Sequence, residues 1–443
     1  MQLPERPELK KALTPLMLWG LGVGYVISGM YFGWNLGLKE GGTLGLAIAT
    51  FFIIILYVCF SFSYAELACY LPKAGGVFDY ANKALGKEWG FVAGVAQIIE
   101  FVFAPPAIAF GIGAYFNLFF PTVPILAISI SAYILFTGLN IYGVKAAASF
   151  ELIITIIAVF ELLLFSAVTL PHFKVENLQH NAFPNGWAGV FASLPFAIWF
   201  FLGIEGLANV AEETKNPQKD ILKGFSSAIL TLVILCILIF ISTVGVGGWE
   251  QIVFKNGVDG DTSDSPLPLA MAQVVGDNSL LFHMLLTIGL FGLVASFHGL
   301  ILAAGRSTYE FGKEGYGPGL LGRIHPKFRT PANALVINML IGIIALFTNK
   351  TGEIITISVL GALTLYIIAM ISLIVLRKND PLTARPFKVP GYPVTPIIAL
   401  IIAAIAFVLI DYYNLKLFFI YMGLLILPFI FFKLLYKKKP AHD

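Results

Sequence analysis

Apolar runs of membrane-spanning length alternate along this chain with short polar segments carrying Lys, Arg, Pro and Gly. A helix needs roughly 20 apolar residues to cross the hydrocarbon core of a bilayer. Such runs begin near Pro15, Thr43, Phe91, Val123, Phe150, Ala188, Ile221, Leu280, Pro331, Ile354, Pro396 and Leu417. The pattern predicts an all-α integral membrane protein with twelve transmembrane helices. The first run is long, has no small-residue cleavage site and leads into further spans, so it reads as a span rather than a cleaved leader. The longest polar stretches lie at about 171–187 and 247–279 on one side, and at 72–90, 306–330 and 377–395 on the other. They are loops, as the run Arg385-Pro386-Phe387-Lys388-Val389-Pro390-Gly391 illustrates. No soluble domain is expected.

Two of the runs carry polar interruptions. The sixth, Ala188–Val210, reads AGVFASLPFAIWFFLGIEGLANV, and its one ionisable group is Glu205, set between Gly203 and Gly206. A charge at that depth is costly and normally faces a cavity, a partner or a pathway. In the first run, Tyr25-Val26-Ile27-Ser28-Gly29-Met30 places a Ser–Gly pair at mid-membrane. Interrupted spans five apart are what a 5+5 inverted repeat of the leucine-transporter type predicts, with discontinuous helices 1 and 6 and the binding site between them. The expected division is residues 14–170 for the first repeat, 187–377 for the second, and 394–436 for two additional C-terminal helices.

Span 3 supplies a second mid-membrane carboxylate. Glu100 shares a helical face with Gln97, Phe101 and Ala104 at spacings of three and four. Pro105-Pro106 follows at once and should kink the helix and free backbone carbonyls. Elsewhere Glu161 in span 5 and His298 in span 8 are possible members of a proton path, and Ser296 a possible neighbour of a small-cation site. Glu66, Glu212 and Glu213 lie at inner helix ends, where ion pairs with loop Lys or Arg would form an inner gate. Asp411 falls at an outer interface.

Composition agrees with the pattern. Apolar residues make up 58% and charged residues 12% of 443, against about 25% charged in soluble domains, and mean hydropathy is +0.86. Charge adds orientation. Of 28 Lys and Arg, only Lys39, Lys174, Lys255, Lys350 and Lys416 fall on one side of the twelve-span topology. The other side is therefore cytoplasmic and holds both termini, in a multi-pass cell-membrane protein. Cys59, Cys69 and Cys236 lie in or beside apolar runs with neither disulfide nor metal spacing, so they read as small buried hydrophobes. No metal or cofactor is expected. The net charge of +3 comes without a basic run suited to nucleic acid.

The polar segments carry three recognisable motifs. After span 2 the chain reads Tyr64-Ala65-Glu66-Leu67, then Leu71-Pro72-Lys73-Ala74-Gly75-Gly76-Val77-Phe78-Asp79-Tyr80-Ala81. Span 6 ends in Ala211-Glu212-Glu213-Thr214-Lys215-Asn216-Pro217. Span 8 is followed by Gly312-Lys313-Glu314-Gly315-Tyr316-Gly317-Pro318, then His325-Pro326 and Thr330-Pro331. From about Leu13 to the last span the chain resembles the amino acid–polyamine–organocation superfamily of secondary transporters. Tyr25–Leu38 (YVISGMYFGWNLGL), Glu100–Ala109 (EFVFAPPAIA) and the chain length most resemble its ethanolamine permeases.

That resemblance implies a substrate site formed by Val26, Ile27, Ser28 and Gly29 of span 1, Gln97, Glu100, Phe101 and Ala104 of span 3, and Trp199, Gly203 and Glu205 of span 6. It implies a lid role for Trp199, six residues before Glu205 as in related arginine/agmatine exchangers. It also exposes two departures. Amino acid transporters of the superfamily carry a Gly-Ser-Gly-like break in span 1, whose first glycine gives a substrate carboxylate access to backbone amides; here that position is Ile27. In some relatives a span-5 lysine takes the place of a sodium ion; here Ala158 stands there. The first departure favours an amine without a carboxylate, such as ethanolamine. The second leaves the coupling ion open, with a proton preferred and Glu205, Glu100, Glu161 and His298 as its carriers. Glu205 and Glu100 would divide ammonium binding and proton coupling between them, in an order the residues do not fix. Import by alternating access is the expected function. The main rival is an amino acid permease or exchanger of the same fold. Channels lack paired broken helices and gate-like ion pairs, and no hydrolase, metalloprotease, redox or nucleotide motif supports an enzyme. No feature calls for an obligatory protein partner.

Overall fold

The computed structural model describes residues 11–142, 147–255 and 260–436. Arg6, Lys10, Lys145, Lys437, Lys438 and Lys439, which count among the cations expected on the cytoplasmic side, lie outside them.

Within the described residues, ten helices are long and apolar enough to cross a membrane. The shorter Pro15–Val26 and Ala332–Leu346 complete the expected twelve as spans 1 and 9. Span 1 starts where the sequence supplies a cap: Thr14 Oγ1 accepts the Met17 amide, and Pro15 takes the first helical position. Its outer half is fused to span 2 in a single hydrogen-bonded run, Asn35–Tyr70, that bends at Gly42. Gly42 adopts φ +65, and a Cβ there would meet Pro184 Cδ at 2.4 Å, so only glycine allows the turn from span 1 into span 2. Spans 3, 4 and 5 are Lys87–Asn117, Ile125–Tyr142 and Ala147–Thr169. Span 6 is assembled from Gly186–Ala192, Leu194–Trp199 and Ile204–Glu213. Spans 7, 8 and 10 are Pro217–Gly247, Leu280–Lys313 and Thr351–Asn379, and spans 11 and 12 are Val394–Tyr413 and Leu415–Tyr436.

Burial sorts the spans into a centre and a rim. In their most apolar windows span 6 is 94% buried and span 3 is 89% buried, against 28% for span 11 and 17% for span 12. The two C-terminal helices are thus peripheral, and the two central helices are those bearing Glu205 and Glu100. Span 3 runs on as one helix through Pro105 and Pro106.

Loops close both ends of this core. Outside, Asn35 Nδ2 donates to the Ser263 carbonyl and Thr351 Oγ1 to Asp264 Oδ2, tying the loop before span 8 to spans 1 and 10. Inside, the amides of Ala12 and Leu13 donate to the Glu213 carbonyl, and the Lys215 amide donates back to Leu13. This stitches the start of span 1 to the end of span 6.

A short inner helix, Val77–Leu85, packs on spans 3 and 10. Burial pushes the carboxyl of its Asp79 up to about 6, opposed by Lys73 and the Gly75 amide and reinforced by Glu310 and Glu314. An unfolded Asp releases its proton near pH 4. The folded state therefore binds more protons between about pH 4 and 6, and stability falls as pH rises through that window. In detergent, Asp79→Asn should flatten this fall: its melting temperature should match wild type near pH 4.5 and exceed it at pH 7. An equal decline in both proteins would contradict the assignment.

Candidate functional site

The site forms where the interruptions of spans 1 and 6 meet. In span 6, Gly203 adopts a left-handed φ of +103, which ends the outer helix and starts a 3-10 segment with Glu205 in its first turn. In span 1 the interruption extends further out than the sequence suggested. Ile27 keeps helical angles, and the extended backbone falls at Phe32 (φ −162, ψ 174), followed by Gly33 at φ +88. The cause is tight apposition of the two breaks. A Cβ on Gly29 would sit 2.4 Å from the Trp199 carbonyl oxygen, and one on Gly33 2.5 Å from Trp199 Nε1. Trp199 donates its indole N–H to the Phe32 carbonyl at 3.1 Å and packs edge-on against the Phe32 ring. It plugs the gap between the two breaks.

Four backbone amides at the span-1 break are committed. Ile27 N–H donates to Val23 O, Met30 N–H to Ile27 O and Phe32 N–H to Ser28 O. Ser28 N–H donates to Ser296 Oγ at 2.9 Å, and Ser296 in turn donates to Gly24 O at 2.6 Å. Ser296 therefore serves as a bracket between spans 8 and 1, with its hydroxyl used on both sides, and Ala158 O is taken by the Tyr31 hydroxyl. Val26, Ile27, Ser28 and Gly29 are all buried.

Glu205 and Glu100 are fully buried and close enough to act electrostatically on one another. Glu205 Oε2 accepts the Tyr366 hydroxyl at 2.8 Å, and Tyr366 is joined to the Tyr57 hydroxyl at 2.9 Å. Glu205 Oε1 and both Glu100 carboxyl oxygens have no hydrogen-bond partner among the described residues. Neither carboxyl takes part in an ion pair found among those residues. Aromatic rings wall the place: Tyr57 lies 5.2 Å from Phe201 and 5.5 Å from Tyr366, and Phe60 lies 4.2 Å from Tyr366. Span 10 comes this near because Gly361 has no side chain; a Cβ there would meet Ala96 O at 2.7 Å and Glu100 N at 2.9 Å. Chemically, this is a desolvated pair of carboxyls with tyrosine hydroxyls at its edge, a place that can hold one proton or one cation between the two.

The other predicted positions fall around this centre. Phe101 and Ala104 are buried on span 3. Gln97 donates to Asn209 Oδ1 at 3.3 Å, and Asn209 donates on to Ser307 Oγ, linking spans 3, 6 and 8 below the carboxyls. Glu161 accepts the Tyr31 hydroxyl at 2.7 Å. His298 lies beside Glu151 of span 5, a buried carboxyl assigned no role from sequence. At the inner end, Glu66 takes a bidentate bond from Arg377 (2.7 and 2.5 Å) and the Val389 amide (2.7 Å), with Arg385 Nε at 3.8 Å. Glu213 pairs with Arg306 at 2.8 Å. Glu212 differs: its carboxyl accepts the Ala74 amide at 3.2 Å, and no ion pair is found for it among the described residues. Sequence reasoning passed over Tyr57, Phe60, Tyr64 and Tyr366. The signal for the first three was their spacing of three and four along span 2, whereas Tyr366 on span 10 carried none.

A family model described as amino acid permease matches residues 13–431, nearly the whole chain. The chain belongs to the amino acid permease family. This places it in the amino acid–polyamine–organocation superfamily that its motifs indicated. An uncharacterised transporter of Rhizobium meliloti (strain 1021) is 29% identical over 427 residues, covering 91% of this chain and 87% of that protein. A branched-chain amino acid permease of Bacillus subtilis (strain 168) is 29% identical, over 89% of this chain and 86% of its own length. A low-affinity putrescine importer of Escherichia coli (strain K12) is 26% identical, over 77% and 75%. The protein is thus a multi-pass membrane permease for a small amine or amino acid, not an enzyme.

Proposed function

We propose that this permease imports a small organic amine, ethanolamine first among them, across the cytoplasmic membrane by alternating access, with both termini in the cytoplasm and residues 14–170 and 187–377 forming the inverted repeats. One observation carries the reading. Two buried carboxyls present three unpartnered oxygens, while the Ser28 amide that a substrate carboxylate would seek is taken by Ser296. An ammonium fits the first feature; the second offers little to an amino acid's carboxylate. The ammonium lies between Glu205 and Glu100, the rings of Tyr57, Phe60, Phe201 and Tyr366 enclose its carbon chain, and Trp199 closes the outer side. An inward-moving proton drives the cycle.

A second reading, amino acid import on the same fold, is favoured by the match to a branched-chain amino acid permease. Counterflow in proteoliposomes decides between them. Ethanolamine should trans-accelerate labelled ethanolamine, while alanine or leucine should compete at least tenfold more weakly. Equal competition by alanine would remove the amine reading. The double variant Ile27→Gly, Ser296→Ala should free the Ser28 amide and narrow that tenfold gap, since an amide–carboxylate hydrogen bond is worth about 1.5–3 kcal/mol. An unchanged ratio would show that the span-1 amides play no part in selectivity.

A further inference from the structure

The structure assigns to Glu151 and His298 the coupling-proton site, apart from the carboxyls that hold substrate. This rests on the proton-driven cycle proposed above. Glu151 is 2% exposed and lies in the first turns of span 5. His298 Nδ1 stands 3.6 Å from its Oε2. Glu151 Oε1 and His298 Nδ1 make no hydrogen bond among the described residues. Each is buried, polar and turned into one small cavity of about 40 Å³, which Tyr25, Glu213 and Arg306 also line. That volume has room for roughly two or three waters, enough to carry a proton between the pair and the inner gate.

The pair's position gives it leverage on span 1. A Cβ on Gly24 would lie 2.6 Å from Glu151 Oε1 and 2.7 Å from Thr155 Oγ1, so the carboxyl presses on bare backbone three residues before Ile27. Thr155 Oγ1 donates to Gly20 O, and Ser296, two residues before His298, donates to Gly24 O. Spans 5 and 8 thus grip the inner half of span 1 from two sides, with Glu151 and His298 at the join. The charged and titratable groups facing them are Tyr25 from span 1, Glu213 from span 6 and Arg306 from span 8; span 4 contributes Phe136 and Asn140. Arg306 is held by Glu213 and does not neutralise Glu151.

The cycle follows from charge. With Glu151 ionised, its carboxylate draws the imidazole of His298 toward it across the 3.6 Å gap, and the two clamp span 1 between spans 5 and 8. A proton that reaches the pair adds to Glu151 and abolishes the attraction. The inner half of span 1 is then free to swing with the Arg306–Glu213 gate, and the same proton leaves through the cavity to the cytoplasm. Substrate is held by Glu205 and Glu100 and not by this pair, so binding and coupling are separable.

The test compares Glu151→Gln and His298→Asn with wild type in proteoliposomes, using ethanolamine counterflow at equal pH and uptake driven by an imposed inward proton gradient. The expected result is counterflow within twofold of wild type in Glu151→Gln, with gradient-driven accumulation reduced at least tenfold and the pH dependence of influx flattened. His298→Asn should lose accumulation in the same way. Retained accumulation in Glu151→Gln overturns the assignment, as does a wild type that exchanges substrate but ignores the gradient. Loss of counterflow in a variant that melts like wild type also overturns it, since the role would then lie in the carrier step. If wild type exchanges no ethanolamine, the amine reading fails instead, and the same comparison is run on leucine.

Discussion

Glu205→Gln is expected to reduce ethanolamine uptake by at least a hundredfold. The glutamine keeps the shape and an oxygen to accept the Tyr366 hydroxyl, but removes the charge that an ammonium must meet in a dry site. Breaking one partner of a buried charged pair costs about 2–5 kcal/mol, and a hundredfold corresponds to about 2.7 kcal/mol. Glu100→Gln should be almost as damaging, because its two unpartnered oxygens share the same ligand. Tyr366→Phe should cost less, about 1.5–3 kcal/mol, the value of one hydrogen bond to a charged acceptor. The order Glu205→Gln, Glu100→Gln, Tyr366→Phe is to be read from initial uptake rates and from the melting shift that ethanolamine produces in each variant. A Glu205→Gln protein whose uptake and pH dependence both equal wild type would remove Glu205 from the site.

The same residues show how much the chain discloses before it folds. Glu205 was visible because one carboxylate in a long apolar run has no inexpensive place to go, and flanking glycines showed where the helix would fail. The ion pairs of Glu66 and Glu213 were visible because acidic helix ends face a loop side rich in cations. The twelve crossings followed from run length alone. What the sequence concealed depends on register between helices. Tyr57 and Tyr366 are 309 positions apart and share one hydrogen bond; nothing local announces it. Glu151 stands at the start of its apolar run, where a carboxylate reads as an interfacial residue, and only packing against Gly24 reveals that it is buried. The span-1 interruption begins where the sequence placed it, with one helix ending at Val26 and the next starting at Ser28, but its outward extension was hidden for a related reason. Ser28 and Gly29 mark where span 6 touches, whereas Phe32 and Gly33 mark where the backbone turns to accommodate Trp199.

Glu66→Ala should be the most destabilising single change, and its partner should rescue it. Glu66 is fully buried at the end of span 2 and gathers Arg377 from the end of span 10, Arg385 from the following loop and the Val389 amide. Arg385 is itself 3% exposed in its side chain, and Arg377 16%. Removing Glu66 strands two guanidinium groups in a place where water reaches poorly, and breaking a buried pair from one side costs about 3–5 kcal/mol. Replacing both partners by apolar groups of similar volume is often neutral, so Glu66→Leu with Arg377→Met should recover much of the loss. Arg385 and its stacking on Tyr70 would remain as the residual cost. Melting temperatures of the two single variants and the double in one detergent give the coupling directly. Additive losses would mean that the cluster holds no more than three independent contacts. A strong coupling would mean that the inner ends of spans 2 and 10 are locked as one unit, which must then move together, or part, each time the inner gate opens.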